Sequence, residues 1–167
     1  MKFKCAGIVN DSVVDGIGLR LTVFTQGCPH RCVGCHNPTS HDPAGGYELT
    51  TAEVIEMYRR NILLDGVTLS GGEPFAQPEA MTELAVEVHA AGGSVWAFTG
   101  WTVEQLVAKN DPAVNKLLEN VDVLVDGRFE LAQRDLSLRF RGSRNQRIVD
   151  VQHFLTTNVV AEPDLSD

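Results

Sequence analysis

The sequence lacks a long hydrophobic run. None of its apolar stretches approaches the roughly 18 consecutive residues that a membrane-spanning helix needs. Residues 1–4 lead into a short strand-like segment without the cleavage-site pattern of a secretory signal peptide. We therefore expect a cytoplasmic protein with no membrane partner.

Basic residues are scarce. The 167 residues include 14 lysines and arginines against 22 carboxylates, which gives a net charge of −8. That sign argues against general binding to nucleic acid or to anionic membranes, both of which require positive charge. Residues 128–147 are the exception, since they contain six arginines and two acidic residues. We expect this segment to contact a negatively charged partner or ligand rather than to form a solvated face, because guanidinium groups suit carboxylate recognition.

Cysteine is also rare, and its distribution is uneven. Of the four cysteines, Cys28, Cys32 and Cys35 fall within eight residues, whereas Cys5 stands alone in an apolar segment. A secreted disulfide framework would spread its cysteines along the chain. The C-x3-C-x2-C spacing instead indicates the ligands of a soft metal centre.

The spacing alone leaves three kinds of metal centre open. An ordinary [4Fe–4S] cluster takes four cysteines, so three would leave one iron open to an external ligand. His30 or His36 could instead complete a zinc site, and Cys5 could close the cluster of an electron carrier. The spacing favours iron–sulfur, because zinc sites usually show their fourth ligand at a recognisable position. Cys5 is more typical of a small buried hydrophobic residue.

Strand-like and helix-like segments alternate along the chain. This order predicts βαβ units and a sheet of parallel strands within one α/β domain, residues 1–161, followed by a tail, residues 162–167. Thr50 and Glu53 form a capping box that begins a helix, and Ile62 is expected on its apolar face. Strands are predicted at residues 3–9, 19–25, 66–69, 94–99 and 121–126, helices from Thr50, Pro78, Thr102 and Asp111, a loop at 27–46, and β-branched runs at 148–151 and 154–160.

Three motifs of the sequence resemble those of a known enzyme family. Residues 27–38, GCPHRCVGCHNP, look like the cluster loop of radical S-adenosylmethionine (SAM) enzymes, specifically of the activases of glycyl-radical enzymes. Residues 15–20, DGIGLR, and residues 70–74, SGGEP, resemble two further motifs of those enzymes. From about residue 5 to residue 150 the chain resembles the activating proteins of the anaerobic (class III) ribonucleoside-triphosphate reductases. The segments that carry this narrower resemblance are FTGW at 98–101, DVLVDGRF at 122–129, LSLR at 136–139 and RGSRNQR at 141–147.

The resemblance implies a reaction and its cofactors. Cys28, Cys32 and Cys35 would bind three irons of a [4Fe–4S] cluster, and SAM would chelate the fourth through its amino and carboxylate groups. One electron from a flavodoxin or a ferredoxin would then cleave SAM to methionine and a 5′-deoxyadenosyl radical. This radical would take a hydrogen atom from a glycine in the large subunit of the anaerobic ribonucleoside-triphosphate reductase. No catalytic side chain is expected, because the cofactors carry the chemistry.

Two other functions stay open. The same chemistry could activate another glycyl-radical enzyme, such as pyruvate formate-lyase, although the RGSRNQ segment at residues 141–146 argues against that partner. The chain could also be a non-enzymatic module that binds metal or transfers electrons.

The resemblance also implies which residues bind SAM. Gly71 and Gly72 would let the backbone approach its methionine moiety, and Glu73 would accept a hydrogen bond from its amino group. Ligands of parallel α/β proteins lie at the carboxyl ends of strands. Asn37, preceded by His36, follows the last cysteine of the motif. For Asn37, an Asx-type turn that stabilises the loop is the alternative. Thr99, Gly100 and Asp126 at the carboxyl ends of strands, together with Asn37, are the remaining candidates for binding SAM.

The chain is too short for a complete eightfold barrel, which needs about 250 residues. It offers strands for five or six βα steps. The resemblance therefore implies an incomplete, TIM-like barrel of parallel strands with flanking helices. Its open side would admit a loop of a large protein to the SAM site.

Overall fold

A computed structural model describes residues 1–166, which form one seven-stranded sheet and five α-helices. The last residue of the expected tail, Asp167, lies outside the described residues. The strands are β1 (Lys2–Ser12), β2 (Arg20–Thr25), β3 (Tyr47–Thr50), β4 (Gly66–Gly71), β5 (Ser94–Phe98), β6 (Val123–Asp126) and β7 (Arg147–Asp150). The helices are α1 (Thr51–Arg60), α2 (Pro78–Ala90), α3 (Val103–Ala108), α4 (Pro112–Glu119) and α5 (Val151–Thr157).

The sheet is mixed rather than wholly parallel. Its strand order is β3-β1-β2-β4-β5-β6-β7. The central strands β2, β4, β5 and β6 are parallel, as the alternating pattern predicts. Strands β1, β3 and β7 pair antiparallel with their neighbours, so the prediction of parallel strands is wrong at both edges. The connections from β1 to β2 and from β6 to β7 contain no α-helix, whereas parallel neighbours need a crossover of a dozen or more residues, usually helical.

The coarse fold class is thereby confirmed: an α/β domain built on parallel strands with flanking helices. Strand order and pairing do not test whether the sheet curves into an incomplete barrel, so that part of the expected fold stays a prediction. No helix within residues 1–166 is long and apolar enough to cross a membrane.

Local signals set the helix boundaries well at some places and poorly at others. The capping box at α1 is confirmed: the Thr50 hydroxyl accepts from the Glu53 N–H, and the Glu53 carboxylate accepts from the Thr50 N–H. The placement of Ile62 on the apolar face is wrong, because α1 ends at Arg60 and Ile62 is 92% exposed. Most of the β-branched run at 154–160 lies in or directly after α5, which Asp150 caps through the N–H of His153.

The two faces of the sheet are covered differently. One face packs against the helices through a large core that includes Leu69 and Leu124. The other face carries a smaller cluster around Trp96 and Val125, covered by loop residues such as Phe140. The tail joins this second cluster, since Leu165 packs against it. The helices therefore shield one face only, and loops close the other.

Gly66 begins β4 where the neighbouring strand leaves no room for a side chain. A Cβ at this position would overlap the carbonyl of Ser94 and the buried guanidinium of Arg20. We predict that Gly66→Ala lowers the free energy of unfolding by about 3 kcal/mol, measured by urea denaturation.

Gly7 in β1 is the matched control, because a Cβ there would meet no atom within 4 Å. Gly7→Ala should change the free energy of unfolding by less than about 1 kcal/mol. Equal losses in the two variants would show that the close approach at Gly66 does not limit stability.

Candidate functional site

The three clustered cysteines lie on a loop that follows β2 and is closed at its neck by backbone hydrogen bonds. The Gly27 N–H donates to the Ser40 carbonyl at 2.6 Å, and the Cys28 N–H donates to the His41 carbonyl at 3.0 Å. The Gln26 side chain donates to the carbonyls of two residues that flank this neck. We call residues 28–41 the cluster loop. Its two ends are thus joined to each other directly after β2, so its position depends on the fold and not only on what it binds.

The cluster loop and the strand ends enclose one cavity of about 120 Å³, the cluster cavity. It lies at the carboxyl ends of β4, β5 and β6, where ligands of parallel sheets bind. Seven of the ten residues predicted for the site line it: Cys28, Cys32, Cys35, Gly71, Gly72, Thr99 and Gly100. The other three, Glu73, Asn37 and Asp126, do not.

The groups around the cluster cavity fit an iron–sulfur cluster. His30 and His41 line the cavity, and each has one buried ring nitrogen without a hydrogen-bond partner, Nδ1 and Nε2 respectively. These two nitrogens are free to donate to the sulfur atoms of a cluster, if His30 and His41 carry their protons there. Within residues 1–166, no three His, Cys, Asp or Glu side chains are close enough to hold a single metal ion.

Glu73 is buried, and both of its carboxylate oxygens are already bonded. Its Oε1 accepts from Nε2 of His30 at 2.6 Å, from Oγ1 of Thr99 at 2.8 Å and from the Gly100 N–H at 2.9 Å. Its Oε2 accepts from the Phe75 N–H at 3.1 Å. The sequence predicts that Glu73 accepts a hydrogen bond from the amino group of SAM. In the structure this carboxylate already accepts from four groups of the chain itself.

His30 is a site residue whose role the sequence did not reveal. Its ring packs edge-on against Trp101, with 4.7 Å between ring centroids, and a Cβ at position 100 would overlap it, so Gly100 is required there. The sequence indicates His30 as a possible zinc ligand. Two features of the sequence could have indicated this role: a histidine inside the cysteine motif, and a glycine followed by a tryptophan directly after β5.

Gly71 and Gly72 permit a close approach between segments of the chain's own backbone. A Cβ on Gly71, whose φ is +91°, would lie 2.5 Å from Cα of Phe24 in β2. A Cβ on Gly72 would overlap the carbonyl of Gly27. The sequence attributes these glycines to contact with SAM. The structure adds a second reason, because they seat the turn after β4 directly against the start of the cluster loop.

Asp126 does not line the cluster cavity. It is fully buried and accepts hydrogen bonds from the Val103 N–H at 2.8 Å and from Nε and Nη2 of Arg147 at 3.0 and 2.6 Å. The same guanidinium binds Glu104, and these partners raise the pKa of Arg147 above its usual range. The next residue, Gly127, lines the cavity. Asp126 therefore joins β6 to β7 and α3 behind the site.

Asn37 takes part in the local structure of the cluster loop. Its N–H donates to Sγ of Cys35 at 3.4 Å, and its carbonyl accepts from the Ser40 hydroxyl at 2.6 Å. It lines a second cavity, of about 470 Å³, which we call the substrate-side cavity. The two cavities share Cys35, Gly71, Phe98, Phe129 and Gln146.

The arginine-rich segment, residues 128–147, is tied to the chain at several points. Arg147 is ion-paired as described, and Nη1 of Arg141 donates to the Gln146 carbonyl at 2.7 Å. The Gln146 amide oxygen in turn accepts from the Gly142 N–H. Arg141 and its neighbours form one wall of the substrate-side cavity. Part of the segment therefore lines this cavity, while Arg128, Arg134, Arg139 and Arg144 are exposed.

The chain is similar to one known family and to several known proteins. Residues 14–149 match the family model described as a 4Fe-4S single cluster domain. An anaerobic ribonucleoside-triphosphate reductase-activating protein of Vibrio cholerae is 35% identical over 144 residues, which cover 81% of this chain and 90% of the relative. The protein of the same name from Escherichia coli K12 is 32% identical over 143 residues, covering 80% and 90%. That of Enterobacteria phage T4 is 29% identical over 142 residues, covering 81% and 86%.

Among solved structures, QueE from Escherichia coli resembles this chain with a TM-score of 0.48 and 15% sequence identity. The likeness covers 61% of this chain and 54% of QueE. It is too low to support an argument about function.

The four bonds to Glu73 lead to a prediction about stability. Glu73→Gln keeps the shape of the side chain but turns one acceptor into an amide donor that faces the existing donors. We predict that the free energy of unfolding falls by about 2 kcal/mol and that iron incorporation falls with it. Urea denaturation and iron analysis after anaerobic reconstitution measure the two effects. Glu79→Gln in the first turn of α2 is the control, and it should leave both unchanged within error because Glu79 is exposed.

Cys5 lies outside the cluster cavity, which leads to a second prediction. Its thiol is buried in β1 and donates to the Gly7 carbonyl, and burial raises its pKa, which keeps it protonated. Cys5→Ala should therefore retain the full iron and sulfide content per chain, whereas Cys32→Ala should lose most of it. Loss of iron from Cys5→Ala would make Cys5 a fourth ligand and favour an electron carrier.

Proposed function

This chain belongs to the anaerobic ribonucleoside-triphosphate reductase-activating proteins, which are radical SAM enzymes, and we propose that it activates such a reductase by removing a hydrogen atom from one of its glycines. When bound, the cluster and SAM supply reductive cleavage to methionine and a 5′-deoxyadenosyl radical, which takes the glycine hydrogen. The chain contributes the iron ligands, the orientation of SAM and the exclusion of water. One observation carries the proposal: Cys28, Cys32 and Cys35 line a single cavity together with glycines at the strand ends.

The strand ends are the groups we assign to SAM. Gly71, Gly72 and Gly100 present bare backbone to the cluster cavity, and Thr99 lies beside them. Backbone groups without a Cβ can approach the amino and carboxylate groups of the ligand closely. SAM is thereby held at the carboxyl edge of the parallel strands, next to the thiols.

The three predicted residues outside the cavity act by holding others in place. We assign Glu73 to positioning Gly100 and Thr99, because its oxygens already bind four donors. Asp126 positions the adjacent Gly127, which lines the cavity. Asn37 stabilises the cluster loop through its N–H bond to Cys35.

The substrate-side cavity suits a glycine-bearing segment of the reductase. It adjoins the cluster cavity at Cys35 and Gly71, and Phe98 and Phe129 form part of its wall. The cavity adjoins the face of the sheet that loops, rather than helices, cover. Helices on the outer face of a parallel sheet and a site at the carboxyl ends of its strands are both features of a TIM-like barrel. They support the incomplete barrel that the resemblance implies.

Two expectations of the sequence remain parts of this proposal. A flavodoxin or a ferredoxin supplies the electron, and the reaction takes place in the cytoplasm. Activation of pyruvate formate-lyase is the rival use of the same chemistry. The relatives that share 32–35% identity are named for the reductase, which favours the reductase as partner.

Reconstitution tests this function directly. The purified chain, treated anaerobically with iron and sulfide, should turn brown and consume SAM when dithionite is added. Mixing it with an anaerobic ribonucleoside-triphosphate reductase should give the doublet EPR signal of a glycyl radical. Cys35→Ser is the matched control and should give neither SAM cleavage nor the doublet.

Two results would contradict the proposal. A colourless protein that binds zinc in place of iron would remove the chemistry altogether. A glycyl doublet on pyruvate formate-lyase but not on the reductase would transfer the activity to the rival partner.

A further inference from the structure

A third cavity lies on the other side of the cluster loop. It has a volume of about 470 Å³, and we call it the outer cavity. The outer cavity shares Cys28 and His41 with the cluster cavity. The substrate-side cavity shares Cys35 with the cluster cavity. The outer and substrate-side cavities have no lining residue in common. The cluster cavity, which contains all three thiols in its lining, therefore adjoins both of the other cavities.

The outer cavity is cationic in an acidic chain. Lys4 and Arg31 line it, and no carboxylate does, although the chain as a whole carries a charge of −8. Lys4 and Arg31 are exposed, and within residues 1–166 neither side chain forms an ion pair. Pro29 and Pro43 add exposed apolar surface beside them. Unpaired cations around an apolar depression are suited to an acidic protein partner.

His41 forms part of the wall between the outer cavity and the cluster cavity. Its ring lines both, and its Nε2 is buried without a partner. Cys28, the other shared residue, is one of the three thiols. A partner seated in the outer cavity would therefore be separated from the cluster by a single layer of side chains.

We propose that the outer cavity is the surface through which an acidic one-electron carrier protein reduces the cluster; this rests on the function proposed above. The reduced carrier gives up one electron and is oxidised by one unit, and the [4Fe–4S]²⁺ cluster becomes [4Fe–4S]⁺. The substrate-side cavity stays free for the reductase, since the two surfaces share no residue. The carrier can thus dock while the glycine-bearing partner is in place.

Charge reversal at Lys4 tests the proposal. Lys4→Glu changes an exposed side chain of β1, while the backbone bonds of Lys4 to Gln77 remain. With a photoreduced flavodoxin as the electron donor, we expect the rate of cluster bleaching at low salt to fall about tenfold or more, and added salt to reduce the difference. With dithionite as the donor, the rate should match that of the unaltered protein. Arg31→Gln should act in the same direction.

Lys116→Glu on α4 is the control, because it makes the same charge change away from the outer cavity. It should slow the flavodoxin reaction by less than about twofold. Unchanged flavodoxin rates in Lys4→Glu, or equal slowing in Lys116→Glu, would overturn the proposal.

Cross-linking separates a failure of this proposal from a failure of the proposed function, because it needs no cluster. A carbodiimide should join flavodoxin carboxylates to the amine of Lys4, and Lys4→Gln should abolish most of the product. Cross-links that form instead through Lys109 or Lys116 would place the carrier elsewhere, even if SAM cleavage is confirmed.

Discussion

The candidate site depends on one buried carboxylate, that of Glu73. Removing a carboxylate from water costs several kcal/mol unless hydrogen bonds replace its hydration. Here four donors replace it, and they come from three separate segments: the imidazole of His30 in the cluster loop, Thr99 and Gly100 after β5, and Phe75 after β4. If one segment moved away, the carboxylate would lose a donor in a place that water cannot reach. The cost of burying the charge therefore holds the three segments together.

Backbone contacts without side chains complete the arrangement. Gly100 leaves space for the His30 ring, and Gly72 lies against the Gly27 carbonyl. The Glu73 N–H itself donates to that carbonyl at 2.8 Å. Polar bonds and close glycine contacts thus position the cluster loop from two sides, and the thiols are carried on a support that the sheet defines.

The sequence predicted those parts of this arrangement that local signals encode. The cysteine spacing and the two glycines at the end of β4 mark residues that the fold brings to one cavity, and Thr50 with Glu53 marks the start of α1. Strand direction at the edges was not predictable in this way, because it depends on how each connection crosses the sheet. β3 was missed because its four residues lie at the end of a loop-like stretch. The hydrogen bond between His30 and Glu73 was not predictable from local signals, because the two residues are 43 positions apart in sequence.

The neck of the cluster loop has a consequence for how iron is bound. Joining the two ends of a flexible segment costs conformational entropy. In this chain the backbone bonds from Gly27 to Ser40 and from Cys28 to His41 close the segment, so the fold supplies that ordering and metal ligation does not. Once one thiolate has bound iron, the other two are confined to a small volume around it, which gives them a high effective concentration. The loop therefore acts as a preorganised chelator, whose affinity is set in part by hydrogen bonds that touch no metal.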